Sequence, residues 1–243
     1  MDRLAPLYLV RSGIAYLIAC LYTVLVGPPA LLWTLVSGRS GDLLAAGRFG
    51  ARQFRILLGI RLQVEGLDRM AGDRPAVYCI NHRSNVDVVA FEALYGRCPR
   101  LRGLYKAELG RVPILGRVLR SAGFVPVDRA HHARAMAAAD EAMRGLRAGD
   151  SFLLAPEGTR APTDELLPFK KGAFVMAITA QVPVVPVALI GTAEAMPRGR
   201  AWVEPARVRV IVGDPIPTAG LTLADRDALA DTLRGRLQAL LRC

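Results

Sequence analysis

Residues 12–37 contain no Asp, Glu, Lys or Arg, and the run SGIAYLIACLYTVLVGPPALLWTLVS is long enough to cross a hydrocarbon core of about 30 Å. Exclusion of charge over so long a window argues against a helix buried in a soluble core. Gly27-Pro28-Pro29 interrupts the run, because proline removes amide donors and restricts the residue before it. A single tilted span, a kinked hairpin and an interfacial anchor therefore all remain open. A cleaved signal peptide fits less well: Arg3 and Arg11 resemble its basic start, but no small-x-small site closes the apolar run.

Residues 41–60 place Leu44, Phe49, Phe54, Leu57 and Leu58 among Arg48, Arg52 and Arg55, an amphipathic helical pattern. Such a helix can lie on anionic headgroups or pack on a domain surface. The formal net charge of +11 on a chain that is 52% hydrophobic points to an anionic partner met at an apolar boundary, of which a membrane surface is the commonest. No RNP-like, Cys/His or basic-region pattern accompanies the charge, so nucleic acid is not expected as a partner. All but Lys106, Lys170 and Lys171 of the 32 basic residues are arginine, a skew that genomic base composition alone can produce. Cys20, Cys79, Cys98 and Cys243 lack C-x-x-C pairing, which makes a reducing compartment the default. His131 and His132 are adjacent, so their rings diverge on any regular element, and a metal site is not expected.

Beyond Gly59, short apolar runs alternate with helix-length segments, the pattern of an α/β domain. Strands are expected at residues 61–64, 76–80, 101–106, 124–127, 151–155, 184–190 and 208–212. Helices are expected at 86–94, 114–121, 131–148, 173–180 and 224–241. The chain divides into a membrane-anchoring helical segment, residues 1–58, and an α/β domain, residues 59–243.

In Ala76-Val-Tyr-Cys-Ile-Asn-His-Arg-Ser-Asn-Val-Asp87, a buried strand gives way to a turn and a helix start capped by Ser84 or Asn85. On a helix the H-x4-D spacing would turn His82 and Asp87 about 140° apart, so the pair can meet only across such a turn. Meeting there, the carboxylate would fix the imidazole tautomer and stabilise its protonated form. Imidazole is suited to taking a proton from a hydroxyl at neutral pH. The competing reading has His82 tying the turn and Asp87 serving as a charge at the helix N-terminus. Strand alternation groups Cys79 with Val77 on one face, where it reads as a buried thiol, while Ser84 reads as a cap, so no enzyme nucleophile stands out.

A second strand runs into Pro156-Glu-Gly-Thr-Arg160. Gly158 permits close backbone approach, Thr159 offers a hydroxyl, and the Arg160 guanidinium can grip phosphate with two parallel hydrogen bonds. A local Glu157–Arg160 ion pair that shapes the loop, or orients the arginine, is the alternative. Lys106 ends an expected strand, and Lys170 and Lys171 follow the loop, where a compact ammonium could complement Arg160 around a phosphate monoester.

Taken in order, four blocks resemble the glycerolipid acyltransferases, and in particular the 1-acyl-sn-glycerol-3-phosphate acyltransferases. They are Asn81-His-Arg-Ser-Asn-Val-Asp87, Lys106-Ala-Glu-Leu-Gly-Arg-Val-Pro-Ile-Leu-Gly116 with Gly123-Phe-Val-Pro-Val-Asp-Arg129, Pro156-Glu-Gly-Thr-Arg160 and Val182-Pro-Val-Val-Pro-Val187. Ala155 stands where that family commonly has Phe, and Ala161 where Ser is common. The resemblance implies an α/β fold with a mixed central sheet flanked by helices, as in glycerol-3-phosphate acyltransferases. It implies His82 as general base with Asp87 as its orienting acid, and Arg160 and Lys106 as contacts of the acceptor phosphate. Glu157, Gly158 and Thr159 belong to the same substrate site, with Lys170 beside it. Residues 182–187 are associated with acyl-donor binding or with packing, and their apolar character favours packing.

What the resemblance implies chemically is transfer of an acyl chain from acyl-CoA or acyl-carrier-protein to the sn-2 hydroxyl of lysophosphatidic acid, with no metal, nucleotide or other cofactor. An anionic membrane surface is the expected partner, and the cytoplasmic face of the inner membrane the expected location, since such donors are cytosolic and Arg39, Arg48, Arg52 and Arg55 follow the apolar run. Acyl transfer to another lysolipid, thioester hydrolysis and a non-catalytic membrane-binding role are the alternatives.

Overall fold

The computed structural model describes residues 4–72, 74–128 and 131–242. Arg3, Arg129 and Cys243 lie outside these, as does the side chain of His132.

The charge-free run forms one unbroken helix, α1 (Ala5–Ser37), that continues through Pro28 and Pro29. The expected interruption there does not occur. Tertiary packing flanks the two missing amides: Gly27 lies against the Ile114 and Val118 side chains, and Ala30 packs beside Leu43, Leu44 and Tyr95. The chain reverses instead at Gly38, whose left-handed φ of 71° suits a residue without a Cβ and whose N–H closes on Thr34 O. The helix α2 (Ser40–Leu57) then returns along α1. Trp33 Nε1 donates to Asp42 Oδ2, Tyr22 Oη donates to Ala46 O, and the Tyr16 and Phe54 rings meet at 5.6 Å, an antiparallel ladder. A Cβ on Gly50 would lie 2.5 Å from Tyr22 Cε1, so only glycine allows the helices this close.

Only 11% of the most apolar window of α1 is buried, which excludes a core helix of this chain. Leu25, Leu35 and Val36 are each more than two-thirds exposed. The N-terminal half of α1 nevertheless docks on the sheet. Ser12 Oγ accepts Val203 N–H at 2.8 Å, Arg11 donates to Val203 O at 2.8 Å, and Ala15 joins the core with Leu58 and Ile60.

The remaining elements are β1 (Arg61–Glu65), β2 (Val77–Ile80), α3 (Val89–Tyr95), β3 (Leu101–Lys106), α4 (Leu115–Ser121), β4 (Val125–Val127), α5 (His132–Arg147), β5 (Ser151–Leu154), α6 (Gly172–Ala180), β6 (Val184–Ile190), α7 (Thr192–Ala195), β7 (Arg207–Val212) and α8 (Arg226–Leu241). Among the described residues the strands form one seven-stranded sheet in the order β1-β7-β6-β2-β5-β3-β4. Strands β6, β2, β5, β3 and β4 are parallel, while β7 is antiparallel to β6 and β1 parallel to β7, so the sheet is mixed. Alternation divides the core between two faces. Tyr78, Ile80, Val185 and Val187 pack with α3 and the foot of α1, whereas Val77, Cys79, Phe152 and Val184 pack under α5, α6 and α8.

This topology positions the site. Strands β2 and β5 are neighbours, yet the chain leaving β2 enters α3 on one face and the chain leaving β5 enters α6 on the other. The carboxyl ends of two such strands open a crevice at the topological switch point. His82 follows β2 there, and Glu157 follows β5.

Candidate active site

The turn after β2 is organised around one carboxylate. Asp87 Oδ2 accepts the N–H groups of Arg83 at 2.8 Å and Ser84 at 3.0 Å, and it lies 2.7 Å from His82 Nδ1. Ser84 Oγ accepts Val86 N–H and donates to Met196 O, completing a capping box on the 3-10 turn Asn85–Val88 that leads into α3. Both expected roles of Asp87 hold together: it is the helix-start acceptor and the partner of the imidazole. Asp87 is buried, and its Oδ1 has no hydrogen-bond partner among the described residues. With Nδ1 on the carboxylate, Nε2 is the ring nitrogen left for another partner, and the side chain is 23% exposed.

The turn is held from behind. Asn81 donates to Leu189 O at 2.9 Å and accepts Leu189 N–H at 2.7 Å, fixing the end of β2 to β6. His82 O accepts Ala161 N–H at 2.7 Å, and His82 N–H donates to Glu157 Oε1 at 2.7 Å, so the loop after β5 is bonded to both sides of the His82 peptide. Oε2 of Glu157 accepts Leu167 N–H at 2.8 Å. Glu157 is buried, and desolvation raises its carboxyl above the usual range, an effect the two backbone bonds partly offset. The alternative Glu157–Arg160 ion pair is not among the contacts of the described residues: the two carboxylate oxygens accept the His82 and Leu167 amides.

The other expected site residues gather on the same edge. Gly158 has φ 71°, and a Cβ there would lie 3.2 Å from Lys170 Cγ, so the Lys170 stem covers the glycine. Lys170 N–H closes the loop on Pro156 O at 2.7 Å. Thr159 is exposed and Arg160 half-buried, and neither side chain has a hydrogen bond or ion pair among the described residues. Lys106 ends β3, the strand beside β5; its Nζ stands 3.0 Å from Glu108 Oε1 and its side chain is 68% exposed. Thus the edge presents a histidine oriented by a buried acid, beside three cationic side chains that solvent can reach. Cys79 is wholly buried on the α6 face, and burial pushes its thiol well above the ordinary range, which leaves it without a nucleophilic role. In residues 182–187, Val184, Val185 and Val187 are fully buried in the sheet.

The profile of the family described as Acyltransferase matches residues 61–190, the span that holds all of these groups. The chain belongs to the acyltransferase family. The chain is an O-acyltransferase. It is 33% identical over 234 residues to the human 1-acyl-sn-glycerol-3-phosphate acyltransferase beta, an alignment covering 96% of this chain and 82% of that protein. With the human alpha enzyme it shares 32% over 209 residues, covering 85% and 73%. Its fold is similar to that of the 1-acyl-sn-glycerophosphate acyltransferase of Thermotoga maritima, with a TM-score of 0.81 over 97% of this chain and 96% of that one at 24% identity.

Sequence reasoning left two contributions unassigned. Asn81 pins β2 to β6, and Ser84 reaches Met196 far along the chain; both contacts join segments more than a hundred residues apart, and no local pattern announces them.

Proposed function

We propose that this acyltransferase transfers an acyl chain from the thioester of acyl-CoA or acyl-carrier-protein to the sn-2 hydroxyl of 1-acyl-sn-glycerol-3-phosphate, giving phosphatidic acid. The observation that carries the reading is the 2.7 Å contact between His82 Nδ1 and Asp87 Oδ2, at the edge of the sheet where β3 ends in Lys106 and the segment after β5 carries Arg160 and Lys170. The names of the human relatives support the choice of acceptor.

In this reading His82 Nε2 takes the hydroxyl proton as the oxygen attacks the thioester carbon, and Asp87 stabilises the imidazolium. Collapse of the tetrahedral intermediate breaks the C–S bond, and the imidazolium returns its proton to the departing thiolate. Arg160 and Lys106 hold the acceptor phosphate, Lys170 reinforces them, and Gly158 and Thr159 line the cradle. Glu157 serves the site by fixing the backbone of His82. Residues 1–58 anchor the α/β domain, residues 59–243, at the cytoplasmic face of the inner membrane, where an amphiphilic acceptor and a cytosolic donor meet.

The test is thioester release by purified protein with a panel of acceptors: lysophosphatidic acid, lysophosphatidylcholine, a lyso-ornithine lipid and none. Release coupled to phosphatidic acid formation with the first is expected. Preference for another lysolipid would replace the acceptor, and free fatty acid release without acceptor would replace transfer by hydrolysis.

A further inference from the structure

A second cationic feature lies at the other end of the sheet. Arg61 on β1 and Arg207 on β7 are register partners in a parallel pair, and both are exposed. Partners of this kind project from the same face on strands about 4.8 Å apart, where like charges are destabilising. Neighbouring carboxylates do not relieve them. Glu65 is held by Arg209 through bonds of 3.0 and 3.2 Å, Glu92 by Arg55 through 2.8 and 3.0 Å, and Glu204 by Arg200. Neither Arg61 nor Arg207 forms an ion pair among the described residues.

The two guanidiniums border a hollow of about 610 Å³ whose other walls include Ile56, Gly59 and Pro205. It sits where α2 ends and the sheet begins. Ile56 is 51% exposed, Leu57 is exposed beside it, and the foot of α1 is docked alongside through Arg11 and Ser12. A hollow with a doubled positive charge and an apolar shoulder, continuous with the exposed face of an anchoring hairpin, matches an amphiphile with an anionic head. Three and four strand spacings, on the order of 14 and 19 Å, separate β7 and β1 from β5, whose following loop carries Arg160, so this is not the acceptor cradle.

We propose that Arg61 and Arg207 form a binding site for the phosphate of an anionic phospholipid headgroup, separate from the catalytic site, which seats the α/β domain on the bilayer. The anion neutralises the cross-strand repulsion, and each guanidinium supplies a fork for the phosphate oxygens. The site goes beyond the acyl-transfer reading and rests only on the membrane role of α1 and α2.

The experiment uses the full chain carrying Arg160→Ala, which weakens the acceptor cradle, and follows heat unfolding with dihexanoyl-phosphatidylglycerol below its micellar concentration. The lipid is expected to raise Tm, and Arg61→Gln with Arg207→Gln to weaken its binding about 25-fold, near fivefold per arginine. Arg39→Gln with Arg52→Gln, which removes two other exposed charges of the anchor, is expected to leave the lipid effect intact. Dihexanoyl-phosphatidylcholine is expected to have little effect. Lipid-free, the Arg61/Arg207 double variant is expected to melt no lower than its parent, since it relieves repulsion. An equal lipid effect in the double variant and its parent would overturn the site, as would an equal loss in the Arg39/Arg52 control. An equal rise with inorganic phosphate would assign the hollow to a soluble anion instead. Acyl transfer to detergent-solubilised acceptor, measured with Arg160 intact, should be unchanged by the double substitution. Its absence from every variant would fault the functional reading and leave the headgroup result standing.

Discussion

Glu157 Oε1 accepts the backbone N–H of His82 at 2.7 Å, so the acid of one loop fixes the main chain of the base on another. Since Oε2 holds Leu167 N–H, glutamine can satisfy only one of the two amides. Glu157→Gln is expected to cost about 1–3 kcal/mol, the range for leaving a buried donor unpaired. Denaturant unfolding should show this together with a fall in kcat, while the acceptor KM moves little. A variant with lower kcat and unaltered stability would place Glu157 in contact with substrate instead.

The same carboxyl predicts a pH dependence. Burial raises its pKa, so just above the ordinary glutamate value the folded chain keeps a proton that the unfolded chain has released. Stability attributable to Glu157 must then fall as pH rises through that window. In unfolding measurements between about pH 4 and 7, the stability advantage of the wild type over Glu157→Gln should shrink with rising pH. An advantage that grows would show the backbone bonds, not burial, in control.

Much of this was legible in the sequence, for identifiable reasons. The strands ending at Ile80 and Lys106 and the helix ending at Leu241 were set by apolar runs closed by polar turns, signals local in the chain. The His82–Asp87 contact was legible because a strand-to-helix turn is the only local geometry in which that spacing closes. Pro28 and Pro29 misled, because α4 and α2 supply packing around them that no window of α1 contains. The pairing of Glu157 with two amides was illegible for the same reason: its partners, His82 and Leu167, come from the meeting of two loops.

Asp87→Asn removes the charge facing the imidazole and places an amide where a buried, unpartnered oxygen stands. It is expected to lower kcat by about 10²-fold or more, with acceptor KM nearly constant, because the imidazolium loses its counter-charge. Steady-state kinetics check this, and a loss confined to KM would contradict the orienting role.

Arg160→Ala should act on binding. One charge-assisted pair lost to a phosphate is worth about 1.5–3 kcal/mol, so the acceptor KM should rise roughly 10- to 100-fold with the donor KM unchanged. An unchanged acceptor KM would remove Arg160 from the phosphate cradle.

Ser12→Ala leaves the buried Val203 N–H without its acceptor at the joint between α1 and the sheet. A loss of about 1–3 kcal/mol is expected on unfolding. Vesicle binding should persist, because the exposed face of α1 is untouched.

The most direct test is His82→Ala, in purified protein assayed for phosphatidic acid formation and for vesicle flotation. A fall in turnover of about 10²- to 10⁴-fold with unaltered flotation is the predicted result. Turnover near that of the wild type would contradict proton abstraction by His82.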